Sequence, residues 1–206
     1  TSRLANSIIS LNSVAMGDKK ADLVLKNCNL LSVYTREIIP KTQIAIISDR
    51  IAFVGLDATH TIGPKTKVID VKNKYVSPGF ADPHLHIDQF VLPSEFAKKA
   101  LLCGVTSLFS DPIDVVSVAG NKGFQEFLKL GENLPIRIFQ VVPGGLPVDA
   151  KFSNSKSLTL SQEKIAVKHS HVLGLGEVFS WTKVTLREPK TMKSISSMLE
   201  CDCIIN

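Results

Sequence analysis

The chain has 206 residues with a formal net charge of +5, and 44% of its residues are hydrophobic and 21% charged. This composition is that of an ordinary globular protein and excludes a disordered chain. Basic residues occur as scattered pairs such as Lys19-Lys20 and Lys98-Lys99, and not as the aromatic-lined basic groove that binds nucleic acid. No apolar stretch reaches the ~20 residues of a membrane span, so we expect neither nucleic acid nor a membrane as a partner.

The N-terminus and the cysteines favour a reducing compartment. Ser10 and Asn12 interrupt the first apolar residues, so the long apolar core of a signal peptide is missing. The four cysteines form no CxxC pair, and Cys201 and Cys203 are too close in sequence for an ordinary zinc knuckle. We therefore expect free thiols and a cytoplasmic protein.

Two regions precede the main repeat of the chain. Residues 1–20 carry apolar side chains at near-helical spacing, which predicts a short helical extension. Residues 21–79 contain short apolar runs separated by Asn, Asp, Gly and Pro, which are typical of short strands joined by turns. We predict a small antiparallel β domain of the β-sandwich type there, with a break after its first strand at 27–29.

After residue 79 the pattern becomes strand, loop and helix, repeated. The predicted strands are 80–87, 105–110, 136–142 and 172–177, with a fifth that starts at 203. The predicted helices are 93–103, 115–130, 161–169 and 189–200. The third helix opens with Thr159 and Gln162 at the capping-box spacing, and Gly131 ends the second.

Four strand–helix units and the start of a fifth strand predict an α/β fold, namely the first half of a (β/α)8 TIM-like barrel over 80–206. A whole barrel needs ~250 residues. An open doubly wound sheet is the alternative, but no glycine-rich phosphate loop follows the first strand. Because the chain also begins with Thr1 and not Met, we expect a fragment at both ends.

The strongest functional signal is the segment PGFADPHLHID at 78–88. Side chains two residues apart in a strand point the same way, so His84 and His86 share one face. At the C-terminal end of a barrel strand that face looks into the mouth, where two imidazoles can reach one divalent ion. The alternative is two surface or core histidines that are two residues apart by chance.

Glu177 ends the fourth predicted strand, which is otherwise almost uncharged. It shares a face with Leu173 and Leu175, so its carboxylate lies where the barrel interior opens. A carboxylate is costly there without a compensating cation, and its two oxygens can bridge two ions ~3.5–4 Å apart. The alternative is a glutamate just past the strand that reaches solvent or an arginine. We predict His84, His86 and Glu177 as metal ligands.

Two aspartates lie near the same mouth. Asp111 follows the second strand and could orient a ligating histidine, bind substrate or cap the next helix. Asp88 lies two residues beyond His86 and could be a third ligand, an orienting group or a loop residue. His169 and His171 flank the start of the fourth strand, at the opposite end of the barrel, where we expect packing or surface roles.

Together these segments resemble the amidohydrolase superfamily and, within it, the adenine deaminase family. The superfamily opens its barrel with a pattern similar to PGFADPHLH, and ADLVLKN at 21–27 is similar to the family's entry into its β domain. VLGLGEV at 172–178 is similar to the family's fourth strand. Most binuclear members of the superfamily have a carbamylated lysine there, whereas adenine deaminases have a glutamate, the place that Glu177 fills.

The resemblance implies that the intact protein hydrolyses adenine to hypoxanthine and ammonia, in purine salvage. It implies a divalent metal, as two ions of manganese, iron or zinc, and a small-molecule purine as the substrate. Residues 21–79 would be the N-terminal part of a composite β domain. The general base would lie beyond Asn206, so this chain alone should be inactive, and a homo-oligomer is compatible with the sequence.

Three positions depart from the family's pattern. HIE becomes HID, with Asp88 one methylene shorter than glutamate, and DPHE becomes DPID, with Ile113 in place of histidine. The PSCVP-like loop after the third strand carries Gly144-Gly145. All three lie near the mouth, so two alternatives stay open: an amidohydrolase for a cyclic amide or another aminated heterocycle, and a catalytically inactive barrel scaffold.

Overall fold

The computed structural model describes residues 3–147, 151 and 153–206. The chain forms two compact units that meet in sequence between Pro78 and Gly79. The first two residues of the predicted helical extension lie outside the described residues. In the part of the chain that the structure describes, no helix is both long enough and apolar enough to cross a membrane.

The first unit is a mixed sheet with one helix. Its elements are α1 (Arg3–Met16), β1 (Leu23–Ser32), β2 (Glu37–Ile47), β3 (Arg50–Gly55), β4 (Lys67–Asp70) and β5 (Tyr75–Val76). The central strand β1 pairs antiparallel with β2 and parallel with β4 and β5, and β2 pairs antiparallel with β3. A β unit ahead of the barrel is confirmed, but the prediction that it is wholly antiparallel is wrong. Its described strands form one sheet, because the segments before β4 and β5 return the chain to β1 in the parallel sense.

The predicted break at 27–29 is a bulge inside one long strand. Asn27 has a φ of 57°, in the left-handed region that asparagine tolerates better than most residues. The pairing register between β1 and β2 shifts on both sides of Cys28, whose side chain is buried. The polar residues therefore bend the strand without ending it.

A small apolar core joins α1 to the sheet. Val14 of the helix is completely buried, as are Val24 of β1 and Ala45 of β2. These residues belong to one cluster, in which Leu11 and Phe53 are partly buried. The near-helical spacing of apolar residues before residue 17 reflects this contact.

The second unit is half of a parallel barrel. Its elements are β6 (Phe80–Leu85), α2 (Pro93–Leu102), β7 (Val105–Ser110), α3 (Ile113–Leu130), β8 (Arg137–Val142), α4 (Leu160–Ala166), β9 (Val172–Leu175), α5 (Trp181–Thr185), α6 (Pro189–Glu200) and β10 (Ile204–Ile205). The five strands pair in parallel and in chain order, from β6 to β10. This order confirms the predicted half-barrel, because a doubly wound sheet reverses its strand order at a switch point.

The elements differ from the predictions mainly at their ends. β6 stops before His86, because Ile87 turns into the core and begins a short 3-10 turn. The short helix α5 was not predicted, and it buries no side chain that would give an apolar period. The capping box of α4 is present, with the Thr159 and Gln162 side chains each accepting a hydrogen bond from the other residue's backbone N–H.

Helices α2, α3 and α4 cover one face of this sheet. Leu108 and Ile138 are almost fully buried in the cluster that includes residues of α2 and α3. Phe124 and Leu128 of α3 pack in a second cluster that reaches β8, α4 and β9. The residues between these positions on the strands point to the opposite face, the one that carries His84.

The buried face of α3 yields a stability prediction. Phe124 is completely buried, so replacing it with alanine removes apolar contacts and leaves a cavity. We expect Phe124→Ala to lower the free energy of unfolding by about 3–5 kcal/mol. Denaturant unfolding of the complete polypeptide measures this change.

Val118→Ala is the matched control, because Val118 lies on the same helix with 76% of its surface exposed. We expect it to change stability by no more than about 0.5 kcal/mol. Equal effects of the two substitutions would contradict the packing of α3 described above.

Candidate metal centre

Two strand ends bring three predicted residues together. His84 lies in β6, His86 is the first residue after β6, and Glu177 lies just after β9. The Nε2 atoms of His84 and His86 are 3.3 Å apart. The Nε2 atom of His84 is 3.3 Å from Oε1 of Glu177, and that of His86 is 3.5 Å from Oε2. We call these three residues the HHE group.

Hydrogen bonds at the far side of each ring direct the Nε2 atoms toward Glu177. Nδ1 of His86 is 2.7 Å from the backbone carbonyl oxygen of Asp111. A carbonyl oxygen can only accept, so Nδ1 carries the proton and Nε2 presents its lone pair. Nδ1 of His84 is 2.8 Å from the side-chain amide of Asn206. The contacting atom of Asn206 is the amide nitrogen Nδ2, which donates to Nδ1 of His84. Rotating the amide end for end brings its oxygen to Nδ1 instead, and the ring then carries its proton on Nδ1 and its lone pair on Nε2.

The spacing of the HHE group fits a divalent cation. Around a tetrahedral ion with bonds of about 2.0–2.1 Å, neighbouring ligand atoms lie about 3.3–3.4 Å apart. The three contacts of 3.3, 3.3 and 3.5 Å are close to that value. Imidazole and carboxylate are also ligands that zinc, iron and manganese accept. Within the described residues, the HHE group is the cluster of histidine and acidic side chains with metal-ligand spacing.

Asp111 supports the group from behind. Its side chain is completely buried, and Oδ2 accepts a hydrogen bond from the backbone N–H of Glu177 at 2.8 Å. Burial raises the pKa of Asp111 to about 7, although the Glu177 N–H and the nearby His86 act in the opposite direction. The backbone carbonyl of Asp111 contacts Nδ1 of His86, whereas the Asp111 side chain makes no capping hydrogen bond to α3, whose N-cap residue is Pro112.

Glu177 is thus held differently from the prediction. β9 ends at Leu175, so strand alternation does not place this glutamate. Its N–H is taken by the Asp111 carboxylate and not by a neighbouring strand.

Gly176 is a residue that sequence reasoning missed. A Cβ atom at this position would lie 2.1 Å from Oδ2 of Asp111, closer than any real contact. Only glycine therefore lets the chain before Glu177 approach the buried carboxylate. A glycine at the end of an apolar strand indicates that another group approaches the backbone closely there, and the segment VLGLGEV contains such a glycine. Asn206 was also missed, because a lone asparagine carries no comparable signal.

Asp88 has turned away from the HHE group. The chain after His86 forms the 3-10 turn, and Oδ2 of Asp88 accepts hydrogen bonds from the backbone N–H groups of Asp114 and Val115 at 2.8 and 3.0 Å. These are free N–H groups of the first turn of α3, so Asp88 caps that helix from outside. Of the alternatives for Asp88, the geometry favours the loop role.

The other two departures from the family's sequence pattern, Ile113 and Gly144-Gly145, have separate structural explanations. Ile113 is half-buried and packs against the apolar cluster of α3, so an apolar side chain fits there. Gly144-Gly145 lies against the segment that follows β9. A Cβ at Gly145 would be 2.1 Å from the Phe179 ring and 3.1 Å from the carbonyl oxygen of Glu177. These glycines therefore let the loop lie directly against the backbone of the HHE group.

The remaining histidines take no part in the HHE group. Nε2 of His169 is 3.1 Å from a carboxylate oxygen of Glu132. Nε2 of His60 is 2.9 Å from the carbonyl oxygen of Ala15 in the first unit. His171 has an edge-on contact with the ring of Phe139.

The half-barrel thus places two histidines at the end of its first strand and a carboxylate after its fourth, at the C-terminal face where the active sites of TIM barrels lie. Residues 75–194 match the amidohydrolase family, which is more than half of the chain. The chain belongs to the amidohydrolase family.

Curated relatives refine this assignment and confirm the resemblance read from the motifs. Adenine deaminase of Cenarchaeum symbiosum is 56% identical over 203 residues, which are 98% of this chain and 33% of that protein. Adenine deaminase 3 of Rhizobium meliloti is 35% identical over 189 residues, which are 91% of this chain and 32% of that protein. The chain thus spans about a third of the length of the curated relatives that it matches.

A solved structure supports the fold. The E241Q mutant of atrazine chlorohydrolase TrzN from Arthrobacter aurescens TC1, complexed with zinc and atraton, superposes with a TM-score of 0.56 at 12% identity. The match covers 75% of this chain and 46% of that one. At this level of identity the likeness shows a shared fold.

The capping contact of Asp88 can be tested directly. We expect Asp88→Ala to lower the free energy of unfolding by about 0.5–2 kcal/mol, because two N–H groups of α3 lose their acceptor. Metal affinity should be unchanged, because Asp88 is not in the HHE group. Denaturant unfolding and metal titration of the complete polypeptide measure the two effects.

Asp88→Asn is the control, since its side-chain oxygen can still accept from the helix. We expect it to retain most of the stability. A tenfold loss of metal affinity in Asp88→Ala at unchanged stability would instead assign Asp88 to the metal.

Proposed function

We propose that the complete polypeptide is a metal-dependent adenine deaminase, which hydrolyses adenine to hypoxanthine and ammonia. The observation that carries the proposal is the convergence of His84, His86 and Glu177, with a glutamate and not a lysine after the fourth barrel strand. The relatives named adenine deaminase support adenine as the substrate. A purine substrate and a role in purine salvage follow from the same proposal.

Each member of the HHE group has a defined part. His84 and His86 offer Nε2 lone pairs, and their Nδ1 contacts hold the rings in place. Glu177 supplies a negative charge that would partly neutralise a bound divalent cation. A divalent cation, when bound, activates water for attack on an electron-poor carbon, which in adenine is C6.

The carboxylate of Glu177 also supports a two-ion centre. Its oxygens face different imidazoles, Oε1 toward His84 and Oε2 toward His86. Because the two imidazoles lie together as ligands of one ion, a single carboxylate oxygen can join them there, and the other oxygen would be free to hold a second ion ~3.5–4 Å away. Manganese, iron and zinc are the candidates, because imidazole and carboxylate oxygen suit all three.

Proton transfer needs a further group. Expulsion of ammonia from C6 requires an acid and a base near the amino group. By the resemblance, that general base and the remaining ligands belong to the two thirds of the protein that this chain does not span. The residues described here thus supply the first part of a composite site.

A second candidate function is hydrolysis of another aminated heterocycle or a cyclic amide. Asp88 and Ile113 are accounted for by helix capping and core packing. This leaves Gly144-Gly145 as the departure that lies against Glu177. The alternative therefore rests on this loop.

Ammonia release decides between the two functions. We expect the complete polypeptide to release ammonia from adenine faster than from cytosine or guanine, and not to open dihydrouracil. A higher rate with any of these other compounds would make that compound, and not adenine, the proposed substrate.

Substitution of the carboxylate tests the site itself. We expect Glu177→Gln to lower kcat/KM for adenine by at least about 100-fold, since loss of a contact behind the ligands alone costs 10–100-fold. His169→Asn is the control, because this histidine pairs with Glu132 at the other end of the strand. Full activity in Glu177→Gln would contradict the assignment.

Metal removal tests whether ammonia release depends on a bound cation. We expect a chelator to abolish ammonia release and added manganese, iron(II) or zinc to restore it. Elemental analysis of the active protein should find two ions per chain. A protein that binds no metal and has no activity would be the inactive scaffold.

A further inference from the structure

The hydrogen bond between Asp111 and Glu177 spans an intervening strand of the half-barrel. Asp111 follows β7, and Glu177 follows β9, with β8 between these strands in the sheet. Nevertheless, Oδ2 of Asp111 accepts from the Glu177 N–H at 2.8 Å. This contact lies outside the strand ladder and joins the ends of two strands that do not pair.

The backbone of Asp111 is tied to the first strand of the same group. Its carbonyl oxygen is 2.7 Å from Nδ1 of His86, and its N–H donates to the carbonyl oxygen of Leu85 at 3.0 Å. One residue therefore contacts both the histidine arm and the glutamate arm of the HHE group.

The contact between the Asp111 carboxylate and the Glu177 N–H has an unfavourable effect on the stability of the fold. The Asp111 side chain is completely buried, and its Oδ1 atom has no hydrogen-bond partner among the described residues. A buried carboxylate with an unpaired oxygen is less favourable than an apolar side chain in the same place. The contact also requires glycine at position 176, since a Cβ there would meet Oδ2 at 2.1 Å.

We propose that Asp111 is a positioning residue that fixes the Glu177 arm of the metal centre relative to the histidine arm, an inference that rests on the metal site proposed above. Its side chain tethers the Glu177 peptide, so the carboxylate stays 3.3 and 3.5 Å from the two imidazoles. Its backbone carbonyl holds the His86 ring whatever the side chain is. Removing the carboxylate therefore releases the Glu177 N–H and loosens this peptide, although the N–H groups of Gly176 and Val178 stay bonded to Val142 and Asn206. It leaves His86 in place.

Cobalt(II) is the probe for the test, because its visible spectrum reports the geometry of its ligands. The complete polypeptide and its Asp111→Ala, Asp111→Asn and Asp114→Ala variants are made metal-free and titrated with Co²⁺. Asp114 is exposed and close in sequence, so its variant controls for a change of charge in the same segment. Thermal unfolding of each metal-free variant is measured alongside.

We expect Asp111→Ala to bind Co²⁺ about 10–100-fold more weakly and with an altered visible spectrum. Asp111→Asn keeps an oxygen that accepts from the Glu177 N–H, so it should restore affinity to within about threefold of the original. Asp114→Ala should match the original protein in both measurements.

Wild-type affinity and an unchanged spectrum in Asp111→Ala would overturn the proposal, even if the melting temperature falls. If Asp111→Ala does not fold, Asp111→Glu replaces it, since the extra methylene displaces the tethered peptide. An altered Co²⁺ spectrum in that variant supports the proposal, and an unchanged one overturns it. Absence of Co²⁺ binding in the original protein would instead refute the metal site itself, and with it the role of Asp111.

Discussion

Parallel pairing in chain order is the constraint on which the rest of the structure depends. Because β6 to β10 all run the same way, their C-terminal ends meet at one edge of the sheet. Residues from β6 and from the segment after β9 therefore approach one another across the intervening strands. The helices pack on the other face, and ligands can approach the C-terminal end of the face that carries His84.

The first part of the site followed from elementary strand geometry. His84 and His86 could be predicted because two imidazoles at alternate positions signal a shared direction, and a local spacing survives small errors in the end of a strand. The half-barrel could be predicted for a similar reason, since its repeat of apolar strand and amphipathic helix is regular. In each case the information lies in patterns along the sequence and not in contacts between distant segments.

The support for Glu177 could not be predicted, because it depends on contacts between distant segments. Asp111 meets Glu177 across β8, and Asn206 meets His84 from the fifth strand. The turn after His86, which removes Asp88 from the site, depends on burial of Ile87 in the core. In the first unit, the parallel pairing of β4 with β1 was missed because turn residues mark where a strand ends and not which neighbour it joins.

The chain-order pairing of the half-barrel also has a consequence for synthesis. Each strand joins the one made just before it, so the sheet can grow as the polypeptide leaves the ribosome. His84 and His86 emerge early, and the arm with Glu177 closes on them when β9 has been added. The Asp111 carboxylate meets the Gly176–Glu177 segment only at that step, so the contact across β8 forms after β9 has joined the sheet.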